Sequence, residues 1–294
     1  MSGVRFFVAK NPVCEKVFTG FVSAMIFAFS VGAASAKPPV GRSWPAAKRH
    51  AIDKIDHTPF SDLLKKYVDA DGYVDYGAWK NSAGDRRRLH AYLAELGRAD
   101  TNKRSSIDVR LAFWINAYNA VTLEGILQVY PTTSIRNHTA RFVGYNIWKE
   151  LPLHVGSEQY SLEQIEHEVL RKMNEPLIHF GIVCASIGCP RLRQEAYTEE
   201  NVRRHLTDNA RDFFSRPKNV RADTRDGVLH LSEILSWFGS DFGSTERTQL
   251  EAIRPYLPTS AKPLASNPNT RVRFLDYNWN LNDQSKKPRD VSRF

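Results

Sequence analysis

Cysteine is scarce in this chain: three in 294 residues, of which Cys14 sits in the N-terminal stretch ahead of an apolar run. Cys184 and Cys189 alone cannot build the dense disulfide framework on which small secreted domains depend. After residue 33 no apolar run approaches the ~20 residues a helix needs to span a bilayer, which excludes a multi-pass membrane protein. The chain also lacks a G-x-x-x-x-G-K-[ST] phosphate loop, a G-x-S-x-G elbow and an H-E-x-x-H zinc helix. No internal repeat is found. Asp69, Asp71 and Tyr73 have calcium-loop spacing, but the glycine and terminal glutamate that loop requires are out of register. Neither a metal nor another cofactor is expected.

What is present begins with a secretory pattern. Arg5, Lys10 and Lys16 precede an apolar run over residues 19–33, and Ala34-Ser35-Ala36 matches a small-residue cleavage site. Residues 1–36 are therefore expected to be a signal peptide cut before Lys37, leaving a periplasmic or secreted protein with no stable membrane span. The formal charge is +9; Glu15 and the three basic residues of that segment account for two units, so +7 remains. The excess is scattered, as in Arg86-Arg87-Arg88 and Lys286-Lys287. In an exported protein this points to solvated surface or an anionic envelope polymer, and no nucleic-acid partner is expected.

Residues 37–106 read as a helical N-terminal extension. Phe60, Leu63, Leu64 and Tyr67 are spaced for a helix, Asp71-Gly72 marks a turn, and Arg86–Leu96 is a second helix. The polar stretch 101–106 makes a soft boundary. Asp108–Tyr130 is apolar nearly all round, which predicts a helix buried in the middle of a domain, with Asp108 in its first turn or at its cap and Pro131 after its end. Asn116 and Asn119 share one face of it. Either each amide pins a neighbouring loop or the pair lines a pocket. Ser161 with Gln164 has the pattern of a capping box, opening a helix that carries His167, which is either a core histidine or a site residue.

Leu177–Arg193 concentrates the chemistry: His179, Cys184, Ser186, Cys189 and Arg191 fall where an apolar segment gives way to a loop. Leu177–Cys184 reads as a short buried strand, in which alternation puts His179 and Cys184 on opposite faces. The two cysteines are open to several readings: a C-x4-C disulfide, a reactive thiol at Cys184 with Cys189 as its resolving partner, or inert thiols. Helices at Glu199–Phe214 and Ser232–Phe238 flank a hairpin that turns at Asp226-Gly227.

Five ordered segments, FWINAYNAVTL (113–123), SLEQIEH (161–167), HFGIVCASIGCPRLR (179–193), LSEILSWFGSDF (231–242) and FLDYNWNLND (274–283), together resemble bacterial members of domain-of-unknown-function family 547. The resemblance implies a family domain over residues 107–285, followed by a basic tail, 286–294. Asn278 stands where the family pattern leads one to expect aspartate. A buried central helix on a small, mainly antiparallel sheet is also similar to papain- and transglutaminase-like thiol enzymes. In those, the nucleophile lies near the start of the central helix; here that helix holds Asn116 and no cysteine, and His179 would match the strand histidine.

The fold expected is therefore α+β, papain/transglutaminase-like, with a helical N-terminal extension. The function expected is a thiol-dependent hydrolase or transferase acting on peptide or amide bonds. In it Cys184 is the nucleophile, His179 or His167 the base, Asn116 and Asn119 the orienting amides, and Ser186 and Arg191 binding residues. The alternative is a binding or scaffold module with a structural disulfide, taking a peptide, small-molecule or envelope-polymer ligand.

Overall fold

The computed structural model describes residues 38–139 and 146–287. The expected signal peptide and nearly all of the basic tail lie outside the described residues. Among the described residues no helix is long and apolar enough to cross a membrane.

The elements alternate helices with short strands. They run β1 (His50–Ala51), α1 (Thr58–Tyr67), α2 (Tyr76–Asn81), α3 (Ala83–Leu96), β2 (Ala99–Asp100), α4 (Ile107–Val129), α5 (Ile147–Glu150), β3 (Leu153–Val155), β4 (Glu158–Tyr160) and α6 (Leu162–Gln164). After the thiol loop come α7 (Val202–Ser215), β5 (Val220–Asp223), β6 (Val228–Ser232), α8 (Ile234–Phe242), α9 (Glu246–Ile253), α10 (Lys262–Ser266) and β7 (Arg271–Leu275). The content is α+β.

Helix α4 is the axis of the molecule. Ser106 caps it by accepting from Val109 N, with Asp108 in the first turn, and Lys80 Nζ donates to the carbonyls of Gln128 and Tyr130 at its far end. Its side chains are buried on every face from Leu111 to Leu127. Each large apolar chain there contributes about 1.5–3 kcal/mol by leaving water. Helices α1 and α3 supply Phe60, Leu63, Leu64, Leu89 and Leu93 to the same core, so residues 58–96 pack directly with α4.

The expected central sheet is not what α4 packs on. Its neighbours are α2, α3, α6 and α7 and the turn after α6. The three-stranded sheet, β5 antiparallel to β6 and β6 parallel to β7, belongs to a second core built on Phe180, Phe213, Phe214, Leu229 and Leu235. An apolar stripe on α4 reports burial without saying whether helix or sheet provides the cover. The β5–β6 hairpin turns where expected, with Gly227 at φ +64°.

The segment Leu177–Cys184 is not a strand. Pro176–Phe180 forms a 3-10 turn, and the chain from Gly181 to Arg193 is irregular. Short apolar runs carry no periodicity that tells strand from buried turn, and here Pro176, suited to the first position of a helical turn, decides it. With no strand, the opposite-face separation of His179 and Cys184 falls away.

Candidate functional site

Three chain segments converge on the two sulfurs. The first is the loop itself. Ala185 is buried at φ +58°, a left-handed conformation uncommon outside glycine, and it folds Ser186 back toward Cys184. The second is the last leg of the chain, which leaves β7 and crosses under the loop. Gly188 N donates to Asn278 O, Ile187 N to Asn280 O, and Asn282 N to Ala185 O, at 2.8–3.1 Å. That crossing sets Tyr277 on the sulfurs. Its ring lies so close to Gly188 that a Cβ there would fall 2.8 Å from ring carbons, which is why this position takes glycine. The third is α4 with the turn after α6.

The result is a ring of two sulfurs and two hydroxyls. Cys189 Sγ accepts the Cys184 peptide N–H at 3.0 Å and the Tyr277 hydroxyl at 3.1 Å, with Ser186 Oγ donating from 3.5 Å. Cys184 Sγ lies 3.1 Å from Ser186 Oγ and 3.2 Å from Tyr277 Oη, and those two oxygens are 2.8 Å apart. Both cysteines are free thiols, so the disulfide expected as one alternative is not what the structure holds. The pair is asymmetric. Burial opposes the charged form of Cys189, but the hydrogen bonds from Cys184, Ser186 and Tyr277 outweigh it and bring the thiol down to about 6. Cys184 is pushed well up, first by its hydrogen bond with Cys189 and then by burial. The donors thus favour a thiolate at Cys189 over one at Cys184: the side chains of Cys184, Ser186 and Tyr277 act most strongly, and the Cys184 peptide N–H adds a fixed donor.

Both sulfurs border a cleft of about 160 Å³ lined by Tyr118, Trp148, Glu166, His179, Trp237, Phe238, Tyr277 and Trp279. His179 reaches it from the 3-10 turn. Its ring stacks on Phe238 at 4.1 Å, and Nε2 lies 2.8 Å from Asp241 Oδ2 on α8. Burial lowers the His179 pKa, with Asp241 opposing, so the imidazole is neutral at pH 7 and its proton is held at Nε2 by the carboxylate. Arg171 grips the same carboxylate with two bonds of 2.7 and 2.6 Å, which hold Asp241 down to about 2.

Glu166 enters from a π-helical turn, Ile165–Leu170, that continues α6; its Ser161–Gln164 capping box forms as expected. A π turn widens the helix and re-aims its side chains. Glu166 accepts from Tyr118 Oη at 3.1 Å, and burial raises its carboxyl to about 7. A folded-state pKa above the ~4.3 of a free Glu means that this group favours folding below pH ~4.3 and loses that contribution as pH rises through 7. Glu166→Gln is therefore expected to match wild type near pH 4. At pH 8 it should be more stable by about 1–3 kcal/mol, the range allowing for water in the open cleft. Urea titrations at the two pH values check this; equal stabilities at pH 8 would contradict it.

Several expected site residues are placed elsewhere. Asn116 uses both ends of its amide on Tyr197, donating to O at 2.8 Å and accepting from N at 2.9 Å. Asn119 does the same with Gly181 O and Val183 N. Both amides are buried, pin loops and do not line the cleft. His167 is exposed, accepts from Arg171 at its Nδ1, and does not border the cleft. Arg191 lies behind the sulfurs, donating to Ala70 O. Asn278, where a carboxylate was expected, makes a local turn by accepting from Asn280 N. Tyr277, Asp241, Glu166 and Trp237 were not singled out from the sequence, although all four stand inside three of the quoted motifs.

A larger cavity, about 390 Å³, opens near the start of α1. It has no cysteine, and its one histidine, His57, is engaged by Tyr92 Oη at 2.7 Å. Among the described residues no group of three or more His, Cys, Asp and Glu side chains is placed to hold a metal ion. No curated protein and no solved structure matches the chain. The family comparison covers α4, the thiol loop and α7, while Asp241 and Tyr277 complete the site from beyond it. Over residues 103–214 the chain matches the model of the family described as protein of unknown function, DUF547, the family its motifs resemble.

Proposed function

We propose that the cleft is a thiol-dependent acyl-transfer site, hydrolase or transferase, acting on a peptide, amide or related acyl compound, with Cys189 as nucleophile. The observation that carries this reading is the set of donors around Cys189 Sγ at the edge of an open cleft. In the first step the thiolate adds to the acyl carbon and the carbonyl π pair moves to oxygen; that pair then returns as the bond to the leaving group breaks, and the leaving group takes a proton from water, leaving a hydroxide that the imidazolium formed in the second step neutralises. In the second, water attacks the thioester and the Cys189 thiolate leaves. Neutral His179, oriented by Asp241, is the base that takes the proton of that water. The hydroxyls of Ser186 and Tyr277 are donors beside the reacting carbon. The chemistry is of the papain and transglutaminase type, with the sulfur on a loop instead of a helix start. The signal-like pattern of residues 1–36 supports action in the cell envelope after export.

A generic acyl donor tests this. With p-nitrophenyl acetate the protein should show a stoichiometric burst of p-nitrophenolate, with the acetyl group on Cys189 in peptide mass spectra. Acetylation spread over lysines, with none on Cys189, would reject the acyl-transfer reading.

A further inference from the structure

The walls of the cleft are not used by that chemistry. Trp237, Tyr277 and Trp279 form one aromatic cluster, with ring centroids 4.5–5.6 Å apart, and Trp237 is 42% exposed. Trp148 and Phe238 add further rings, and the carboxyl of Glu166 shares the lining with them. The charges around Glu166 are Arg171 and Asp241, the Cys189 sulfur, the Tyr118 hydroxyl, and the neighbouring His167 and His179. Arg171 is the one fixed cation of that group, and its bidentate pairing with Asp241 already neutralises it. The cleft therefore has an uncompensated carboxylate, a thiolate-prone sulfur and π faces. Each of these attracts a cation, and a desolvated cation over indole gains about 2 kcal/mol.

We infer that the aromatic end of this cleft is a subsite for an alkylammonium group, held by the Glu166 carboxylate and the faces of Trp148 and Trp237, Trp279 already carrying the Arg136 guanidinium at 5.1 Å. The inference rests on the acyl-transfer reading in assigning that cation to the acyl substrate or its acceptor; the binding itself does not need the sulfur. The charge complementarity separates this occupant from an apolar chain, which would gain nothing from a carboxylate.

Choline and its uncharged isostere 3,3-dimethylbutan-1-ol are suitable probes, followed by tryptophan fluorescence and by indole N–H shifts. Choline should bind at least about tenfold more tightly than the alcohol. Glu166→Gln should weaken choline about tenfold and leave the alcohol unchanged, and Trp237→Ala should weaken choline as well. Choline has no group that titrates near neutrality, so its affinity should rise about tenfold between pH 6 and pH 8 as the cleft carboxyl ionises. Cys189→Ser protein should still bind choline, weakened by no more than about threefold, because the carboxylate and the rings remain. Equal or tighter binding of the alcohol, or choline binding indifferent to Glu166→Gln, would overturn the subsite and leave the acyl-transfer reading standing. Normal choline binding with no acetylation of Cys189 would reject acyl transfer and leave the subsite.

Discussion

Cys189→Ser is expected to abolish fast alkylation at pH 7, whereas Cys184→Ser should keep it. At neutral pH iodoacetamide reacts with thiolate, and only the Cys189 sulfur receives a peptide N–H, that of Cys184, together with the Tyr277 hydroxyl. Cys184→Ser keeps the peptide N–H and puts a hydroxyl donor where the Cys184 thiol was, with Ser186 and Tyr277 unchanged, so the Cys189 thiol should stay below the ordinary cysteine range. In wild type the pH profile of alkylation should accordingly rise around pH 6 and not around the ~8.5 of a free cysteine. Gly188→Ala, which drives a methyl into the Tyr277 ring, should shift that profile upward by displacing one donor. Peptide mapping after brief alkylation identifies the modified sulfur. Two substitutions with equal stability losses, and no reactive thiol in the unreduced wild type, would instead mark a structural disulfide.

The second large effect is on stability. Arg86→Ala should cost about 3–5 kcal/mol, because it strands a buried carboxylate. Glu124 on α4 is 2% exposed and pairs with Arg86 at 2.8 Å, supported by His90 and Gln128. This pair ties α3 to the central helix. The double substitution Arg86→Met with Glu124→Gln should recover most of the loss, since no charge is then left unpaired. Denaturant unfolding of the wild type and both variants measures it; a loss under about 1 kcal/mol for Arg86→Ala would show that the ion pair is dispensable.

Much of the local structure was legible in the residues. The all-round apolar run of 108–130 appears as α4, Ser161 and Gln164 form their capping box, and Asp226-Gly227 turns the β5–β6 hairpin. Each is decided within a few residues, by periodicity, side-chain capping or a positive φ. The importance of the loop with Cys184 and Cys189 was legible for the same reason: five chemistry-bearing residues crowd one short stretch.

Which sulfur is activated, and what surrounds it, was decided only by tertiary structure. Tyr277 is 88 residues from Cys189 and reaches it because the last segment threads beneath the loop on backbone hydrogen bonds, which carry no side-chain signature. Asp241 comes to His179 from a helix 62 residues on. Asn116 and Asn119 were recognisable as buried amides, yet their partners are backbone atoms of residues 181, 183 and 197, and backbone atoms are the same in every sequence. Periodicity tells which groups leave water; the pairing of the polar ones depends on which distant backbone the fold brings within 3 Å of them.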